Sequence, residues 1–404
     1  MVQNGIVTKR YLGFIKPSDV DEHLDLRYAG LALPGFIDMH THLRGLELSY
    51  KEDEKSGTRA AAKGGFTIVV DMPNTKPRIN NPEALNRKLR ALEANSIVDY
   101  GLYIAPIEDP ELMKIMLLKN GVVGIKLYPE DYHLITHIIE VLKNVKDRIL
   151  IVHAEHPKYI HECNAGKRWR CRPIEAEIAA LYYIADHVGN TDIRVHITHI
   201  TNALSLAIAR KYGFSVDTCP HYLYLDSLHE YTQQCIAKVN PPLRAPGVNR
   251  VLLSKIHQLD AVSTDHAPHS IKEKMTTFEK CPAGISSIEI AASLMLNLVS
   301  KNFLSLDTAI RLLSRGPAKL LGLKNWGCFN PGCIASYTLV DLDKEFEVKS
   351  SMFVSKARIT PYEGMKLRGL IRATIVRGNV VYFEDEFIEG SKPKPITELR
   401  LRSC

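Results

Sequence analysis

His40 and His42 stand on either side of Thr41 in the run Asp38-Met39-His40-Thr41-His42, which closes the apolar stretch Gly35-Phe36-Ile37. Alternate side chains on a strand share a face, so two imidazoles at this spacing can reach one metal ion. Two histidines hydrogen-bonded near a strand end would give the same pattern, and the pair alone decides little. Three further positions add weight. His153 closes Ile149-Leu150-Ile151-Val152, His199 closes residues 193–198, and Asp265 ends the run 260–264. Five such ligands exceed one catalytic zinc, which takes three protein ligands and keeps a position for water. The set calls for two ions. Two close ions need a bridging anion, and Lys126 would supply one if carbon dioxide carboxylated its amine to a carbamate. A lysine pairing with a substrate anion is the other reading of that residue.

These residues need a scaffold that brings distant positions together. Strand-like segments lie at 35–40, 66–71, 98–105, 121–127, 148–153, 193–199, 214–219 and 260–265, with helical patterns at 82–95, 174–187 and 203–212. Such alternation argues for parallel strands, and eight of them for a closed (β/α)8 TIM-type barrel of the α/β class. A barrel of this kind places its site at the carboxyl ends of its strands, where the candidate ligands fall. His196 lies three residues before His199, so its expected place is packing on the opposite face of the strand. Residues 285–298 and 305–313 read as further helices. From Gly332 the pattern changes to consecutive strands, with 335–340 followed by 374–383, which turn at Arg377-Gly378-Asn379. The expected organisation is a barrel over 34–330 beside a small β domain built from 1–33 and 331–404.

The chain has 404 residues, 45% hydrophobic and 24% charged, values that suit a folded globular protein with a sizeable core. Its formal charge of +7 is spread along the length rather than gathered in blocks, which favours a small anionic substrate over nucleic acid. The basic stretch 392–402 reads as a solvated end. No leader pattern opens the sequence and no apolar run is long enough to span a bilayer, so the expectation is a cytoplasmic protein without membrane contact. The eight cysteines form no Cys-x-x-Cys pair; most are expected to be reduced, with Cys163–Cys171 or Cys328–Cys333 pairing only in a hyperthermophile's protein.

Several motifs resemble the amidohydrolase superfamily, and within it the dihydroorotases. They are Asp38-Met39-His40-Thr41-His42-Leu43-Arg44, Tyr50-Lys51-Glu52-Asp53, residues 61–67, Asp71-Met72-Pro73-Asn74-Thr75 and Thr264-Asp265-His266-Ala267-Pro268-His269. The resemblance runs in consistent order from about residue 30 to 340. It implies two zinc ions per subunit. His40, His42 and Asp265 would hold the first, and His153 and His199 the second, with carboxylated Lys126 between them. Many bacterial relatives bridge with an aspartate, and Asp131 is the local alternative. It also implies that Arg44 and Asn74 grip a substrate carboxylate, that His269 contacts the substrate near the attacked carbonyl, and that Asp265 moves the proton. A guanidinium suits the carboxylate because it offers planar paired donors.

The implied reaction is the reversible hydrolysis of L-dihydroorotate to N-carbamoyl-L-aspartate, a step of pyrimidine synthesis. Implied partners are a second copy of the chain and aspartate transcarbamoylase. Rival readings are another cyclic amidase, of the allantoinase or hydantoinase kind, and an inactive scaffold for that transcarbamoylase. Arg44 argues against the first, because those substrates lack the carboxylate, and the intact ligand set against the second. The chain departs from the family where Gly45-Leu46-Glu47 follows Arg44 and where residues 282–287 replace a Pro-Gly-rich loop. Cys219-Pro220-His221-Tyr222 is closer to allantoinase-like relatives, and His221 is expected to be structural.

Overall fold

The computed structural model describes residues 1–9, 30–388, 390 and 392–401. Its centre is an eight-stranded sheet of β1 (Phe36–Thr41), β2 (Phe66–Asp71), β3 (Asp99–Ile104), β4 (Val122–Leu127), β5 (Ile149–His153), β6 (Arg194–Thr198), β7 (Ser215–Thr218) and β8 (Ala261–Val262). Every neighbouring pair is parallel and in chain order. The cylinder closes just beyond β1 and β8, where Thr41 bridges His266 and the His42 amide donates to the His266 carbonyl at 2.8 Å.

The local reasons are plain in the residues. β2 is Phe-Thr-Ile-Val-Val-Asp, a β-branched run buried along its whole length, as a strand covered on both faces requires. The helix Pro82–Asn95 opens on proline, and the Asn81 side chain accepts from the Ala84 amide at 2.9 Å. The helix Glu54–Lys63 starts with a reciprocal cap between Asp53 and Ser56. It ends on Gly64, where a Cβ would sit 2.2 Å from the Ile288 carbonyl oxygen, so only glycine lets this turn meet the helix Ile288–Ser300.

That last helix starts three residues later than its apolar pattern suggests. Ile285 is diverted to bridge His266, and its carbonyl accepts from the Ala267 amide at 2.9 Å. β8 is also shorter than expected, because Asp265 has a positive φ of 45° and leaves the strand direction.

The five-stranded antiparallel sheet runs in the order Glu386–Phe387, Asn379–Phe383, Lys366–Val376, Tyr337–Glu347, Leu31–Pro34. Leu31–Pro34 pairs with Tyr337–Val340, so segments from both ends of the chain share one sheet. The sheet lies against the barrel through the helix Ile288–Ser300, whose Ser293 hydroxyl donates to the Gly369 carbonyl at 2.7 Å.

Two expectations need correction. The basic stretch near the end is not a solvated tail over its described length. Ile396 and Leu399 are buried in an apolar cluster with Ile37, Val123, Ile151 and Leu321, and the Tyr100 amide donates to the Lys394 carbonyl at 3.0 Å. An amphipathic helix hides its apolar stripe whatever the charge of its other face. The cysteines are mostly paired: Cys163–Cys171, Cys235–Cys281 and Cys328–Cys333 are bridged, and Cys219 is free and buried. Cys404 lies outside the described residues. Among the described residues no helix is long and apolar enough to cross a membrane.

Lys88 ties the fold to its upper rim. Fully buried, its ammonium lies 2.6 Å from Glu54 Oε1 and 2.7 Å from Asp71 Oδ2, and donates to the Arg44 carbonyl at 3.0 Å. Removing one partner of a buried ionic cluster leaves the other charges uncompensated, at a cost of about 3–5 kcal/mol. Lys88→Met is therefore expected to lower the unfolding free energy by about that amount, read from denaturant titration. A loss under about 1 kcal/mol would show that the cluster contributes little.

Candidate active site

The carboxyl ends of β1, β2, β4, β5 and β6, with the chain after β8, open onto one cavity of about 570 Å³. His40, His42, His153, His199 and Asp265 all line it. His40 Nε2 and His42 Nε2 lie 3.2 and 3.0 Å from the same oxygen, Asp265 Oδ1. The ring centres of His40 and His199 are 5.2 Å apart, and those of His153 and His199 4.6 Å. All five expected metal-ligating histidine and aspartate side chains thus meet in one place. His199, like Asp265, steps off its strand with a positive φ, 46°. Alternation along β6 therefore does not extend to it. His196 instead shares the face of Thr198, fully buried, with Nε2 3.0 Å from Asp217 Oδ2.

Three of the ligand rings are held from behind. His42 Nδ1 lies 2.7 Å from Asn74 Oδ1, and His40 Nδ1 2.8 Å from Thr198 Oγ1. His153 Nε2 lies 2.7 Å from Glu155 Oε2, which leaves Nδ1 of that ring for the cavity. Burial would raise the Glu155 carboxyl, but the Arg172 guanidinium beside it and the bond from His153 hold it well below the usual carboxylate range. Burial lowers the imidazoles of His40 and His199 well below their ordinary range, with Lys126 among the further causes for each, and keeps both rings neutral. Burial raises the Asp265 carboxyl, yet the contact with His42 and the neighbouring His221 and Lys126 together outweigh it and keep it an anion.

This donor set fits cations. Neutral imidazole nitrogens crowd a single carboxylate oxygen, and the ligand atoms of His40, His42 and Asp265 all fall within 4.8 Å of one another. His199 Nδ1 is buried without a hydrogen-bond partner, and so is Lys126 Nζ, on a fully buried side chain. Burial pushes the Lys126 amine down to about 7. Asp131 does not join this group. It sits in the turn Pro129–Leu134, where Arg78 Nη1 donates to its Oδ1 at 3.0 Å, so its carboxylate already has a cation.

The same cavity is also lined by Arg44, Asn74 and His269. Arg44 has φ 56° and is followed by Gly45 at 64° and Leu46 at 48°, a left-handed run that turns the chain after the metal-type residues. Its Nε donates to the Pro268 carbonyl at 3.2 Å and an Nη lies 3.2 Å from His269 Nε2. His269 Nε2 is 3.0 Å from the Ala283 carbonyl, and Lys51 Nζ is 3.3 Å from Nδ1. Burial and the nearby Arg44 depress this imidazole far below its ordinary range, so it is neutral; with its proton on Nε2 it donates to the Ala283 carbonyl and accepts from Lys51 at Nδ1, and the Arg44 Nη then faces it donor to donor. Asn74 uses its oxygen on His42, which leaves its amide N–H groups for the cavity.

Sequence reasoning missed the supports. Glu155, two residues after His153, could have been found from spacing. Arg172, which donates through Nε to Glu155 Oε1 at 3.1 Å, and Thr198 and Asp217 carried no signal beyond their positions in apolar or loop segments. His221 is buried with neither ring nitrogen bonded and rests against Tyr222, ring centres 4.2 Å apart. The Cys235–Cys281 bridge joins the segment after β7 to the residue before Pro282, next to the cavity-lining Ala283 and Gly284.

The amidohydrolase family pattern matches residues 31–381. The dihydroorotase of Saccharolobus solfataricus is 38% identical over 356 residues, covering 87% of this chain and 85% of that protein. The dihydroorotase of Methanothermobacter thermautotrophicus is 33% identical over 386 residues, 92% and 89% of the two. Among solved structures, an L-hydantoinase (dihydropyrimidinase) from Arthrobacter aurescens has a TM-score of 0.83 at 22% identity, covering 89% of this chain and 87% of that one. A D-hydantoinase from Bacillus sp. AR9 has 0.84 at 22%, covering 96% and 92%. At such identities the structures speak for the fold, whereas the family pattern and the sequence relatives reach further: the chain belongs to the amidohydrolase family.

Proposed function

We propose that the chain is a dihydroorotase, a hydrolase of cyclic amides that interconverts L-dihydroorotate and N-carbamoyl-L-aspartate in the cytoplasm. The observation that carries this reading is Arg44 on the wall of the cavity that holds the histidines and Asp265. A buried guanidinium with unspent donors needs an anion, and dihydroorotate brings a carboxylate. Hydantoin, dihydrouracil and allantoin bring none. The high identity to dihydroorotases supports the same choice over the hydantoinases that share the fold.

His40, His42 and Asp265 would hold one Zn2+, and His153 and His199 the other. Lys126 would supply the anion between them as a carbamate: carbon dioxide would bond to its neutral amine and one proton would leave, giving an anion with two oxygens. Such a centre, when bound, makes hydroxide available near neutral pH and polarises the amide carbonyl. The chain's own residues do the rest. Arg44 and the Asn74 amide N–H groups pair with the substrate carboxylate and fix the ring. His269, neutral, lies beside Arg44 to contact the ring near the attacked carbonyl. Asp265 accepts the proton of the attacking water and delivers it to the ring nitrogen as the C–N bond breaks. The carbonyl carbon ends as a carboxylate and the nitrogen as the terminal ureido group.

The direct test is turnover of L-dihydroorotate beside hydantoin, dihydrouracil and allantoin by zinc-loaded protein. Activity confined to dihydroorotate is expected; preference for another substrate would remove the carboxylate argument, and no turnover of any would leave a scaffold. Arg44→Met deletes charge-assisted bonds worth about 1.5–3 kcal/mol, so kcat/KM for dihydroorotate should fall about 10- to 100-fold. Lys126→Ala should leave the fold intact by circular dichroism while metal content drops below that of the wild type and activity is lost. Unchanged metal content and rate would take Lys126 out of the centre.

A further inference from the structure

Beneath the cavity, one hydroxyl connects the ligand-bearing strands. Thr198 Oγ1 lies 2.8 Å from His40 Nδ1 and 3.0 and 3.2 Å from the two oxygens of Asp217. A threonine hydroxyl has a single proton, and a carboxylate can only accept. The proton is therefore given to Asp217, and the hydroxyl oxygen is left to accept from His40. His40 must then carry its own proton on Nδ1, and its Nε2, the atom that faces Asp265, holds a free lone pair.

Asp217 is itself fixed. It accepts from the His199 amide, from Ser263 Oγ at 2.6 Å and from His196 Nε2 at 3.0 Å. Thr198 and Asp217 are buried almost completely, so water does not compete for these bonds. One carboxylate thus touches the residue that orients His40, the backbone of His199, and a side chain two residues before Asp265. No other ligand is served this way: His42 is set by a neutral amide and His153 directly by a carboxylate.

We infer that Thr198, anchored by Asp217, is a positioning residue that fixes the ring tautomer of His40 and so prepares Nε2 to bind a metal ion. This rests on the metal-centre reading above. Outer-shell partners of ligating histidines commonly carry about 10- to 100-fold of metal affinity, because they fix tautomer and ring angle together.

The test compares wild type, Thr198→Ser and Thr198→Val. Zn2+ dissociation constants are measured by competition with a chromophoric chelator, and the visible absorption of the Co2+-loaded proteins is recorded. Val matches Thr in shape and lacks the acceptor. The valine variant is expected to bind Zn2+ about 10- to 100-fold more weakly with an altered Co2+ spectrum, and the serine variant to match wild type. Should the valine chain not fold, Thr198→Ala is expected to show the same loss. Wild-type affinity and spectrum in the folded hydroxyl-free variant would overturn the inference while leaving the metal centre standing. Failure of the wild-type protein to bind either ion would overturn the metal-centre reading and this inference with it.

Discussion

Two imidazole nitrogens, from His40 and His42, stand 3.2 and 3.0 Å from one oxygen of Asp265, largely buried at the floor of the cavity. Burial alone favours pushing such groups apart or protonating the carboxylate. The protein does neither, and much of its upper half can be understood as the means of holding that arrangement. The three residues come from the ends of β1 and β8 and the chain just beyond them, where the cylinder closes, so the arrangement exists only when the barrel is complete.

Three functional side chains leave their strands in the left-handed region: Arg44, His199 and Asp265. A non-glycine residue there costs about 1–3 kcal/mol and persists when its surroundings over-determine it. Each has a buried carboxylate at hand. Asp71 accepts from the Leu43 amide at 2.8 Å and pairs with Lys88, which holds the Arg44 carbonyl. Asp217 accepts from the His199 amide itself. Asp38 accepts from the Thr264 amide at 3.0 Å and the His40 amide at 3.1 Å, and burial raises its carboxyl to about 7. Strain at the site is thus offset by polar contacts one layer below it, in the part of the barrel that catalysis does not touch.

The legible part of the sequence was the part with period. β-branched runs marked all eight strands, seven of them close to their bounds and β8 too long, and a helix such as Pro82–Asn95 was marked by its proline and its apolar spacing. Ligands at strand ends followed from the barrel. What period cannot encode stayed hidden. Left-handed residues such as His199 break the alternation that would predict their direction, and the bond of the buried His196 to Asp217 carried no signal in the sequence. Ile285 looks helical by hydrophobicity but serves a bridge to His266. Cys235 and Cys281 are 46 residues apart and meet only because the segments after β7 and β8 converge. The terminal helix Ile396–Leu401 was masked by its charge, although Ile396 and Leu399 fill the same apolar cluster as Ile37 and Val123.

Lys126 remains the residue on which the account turns, because a fully buried amine without a hydrogen-bond partner is otherwise an unexplained cost. The decisive measurement is metal stoichiometry by elemental analysis on protein exposed to 13C-labelled carbon dioxide, with the carbamate read by 13C NMR. Two zinc ions per chain and one labelled carbamate, lost together in Lys126→Ala, are the expected result. A single ion per chain, or two ions with no labelled carbamate, would contradict a binuclear centre bridged by this lysine.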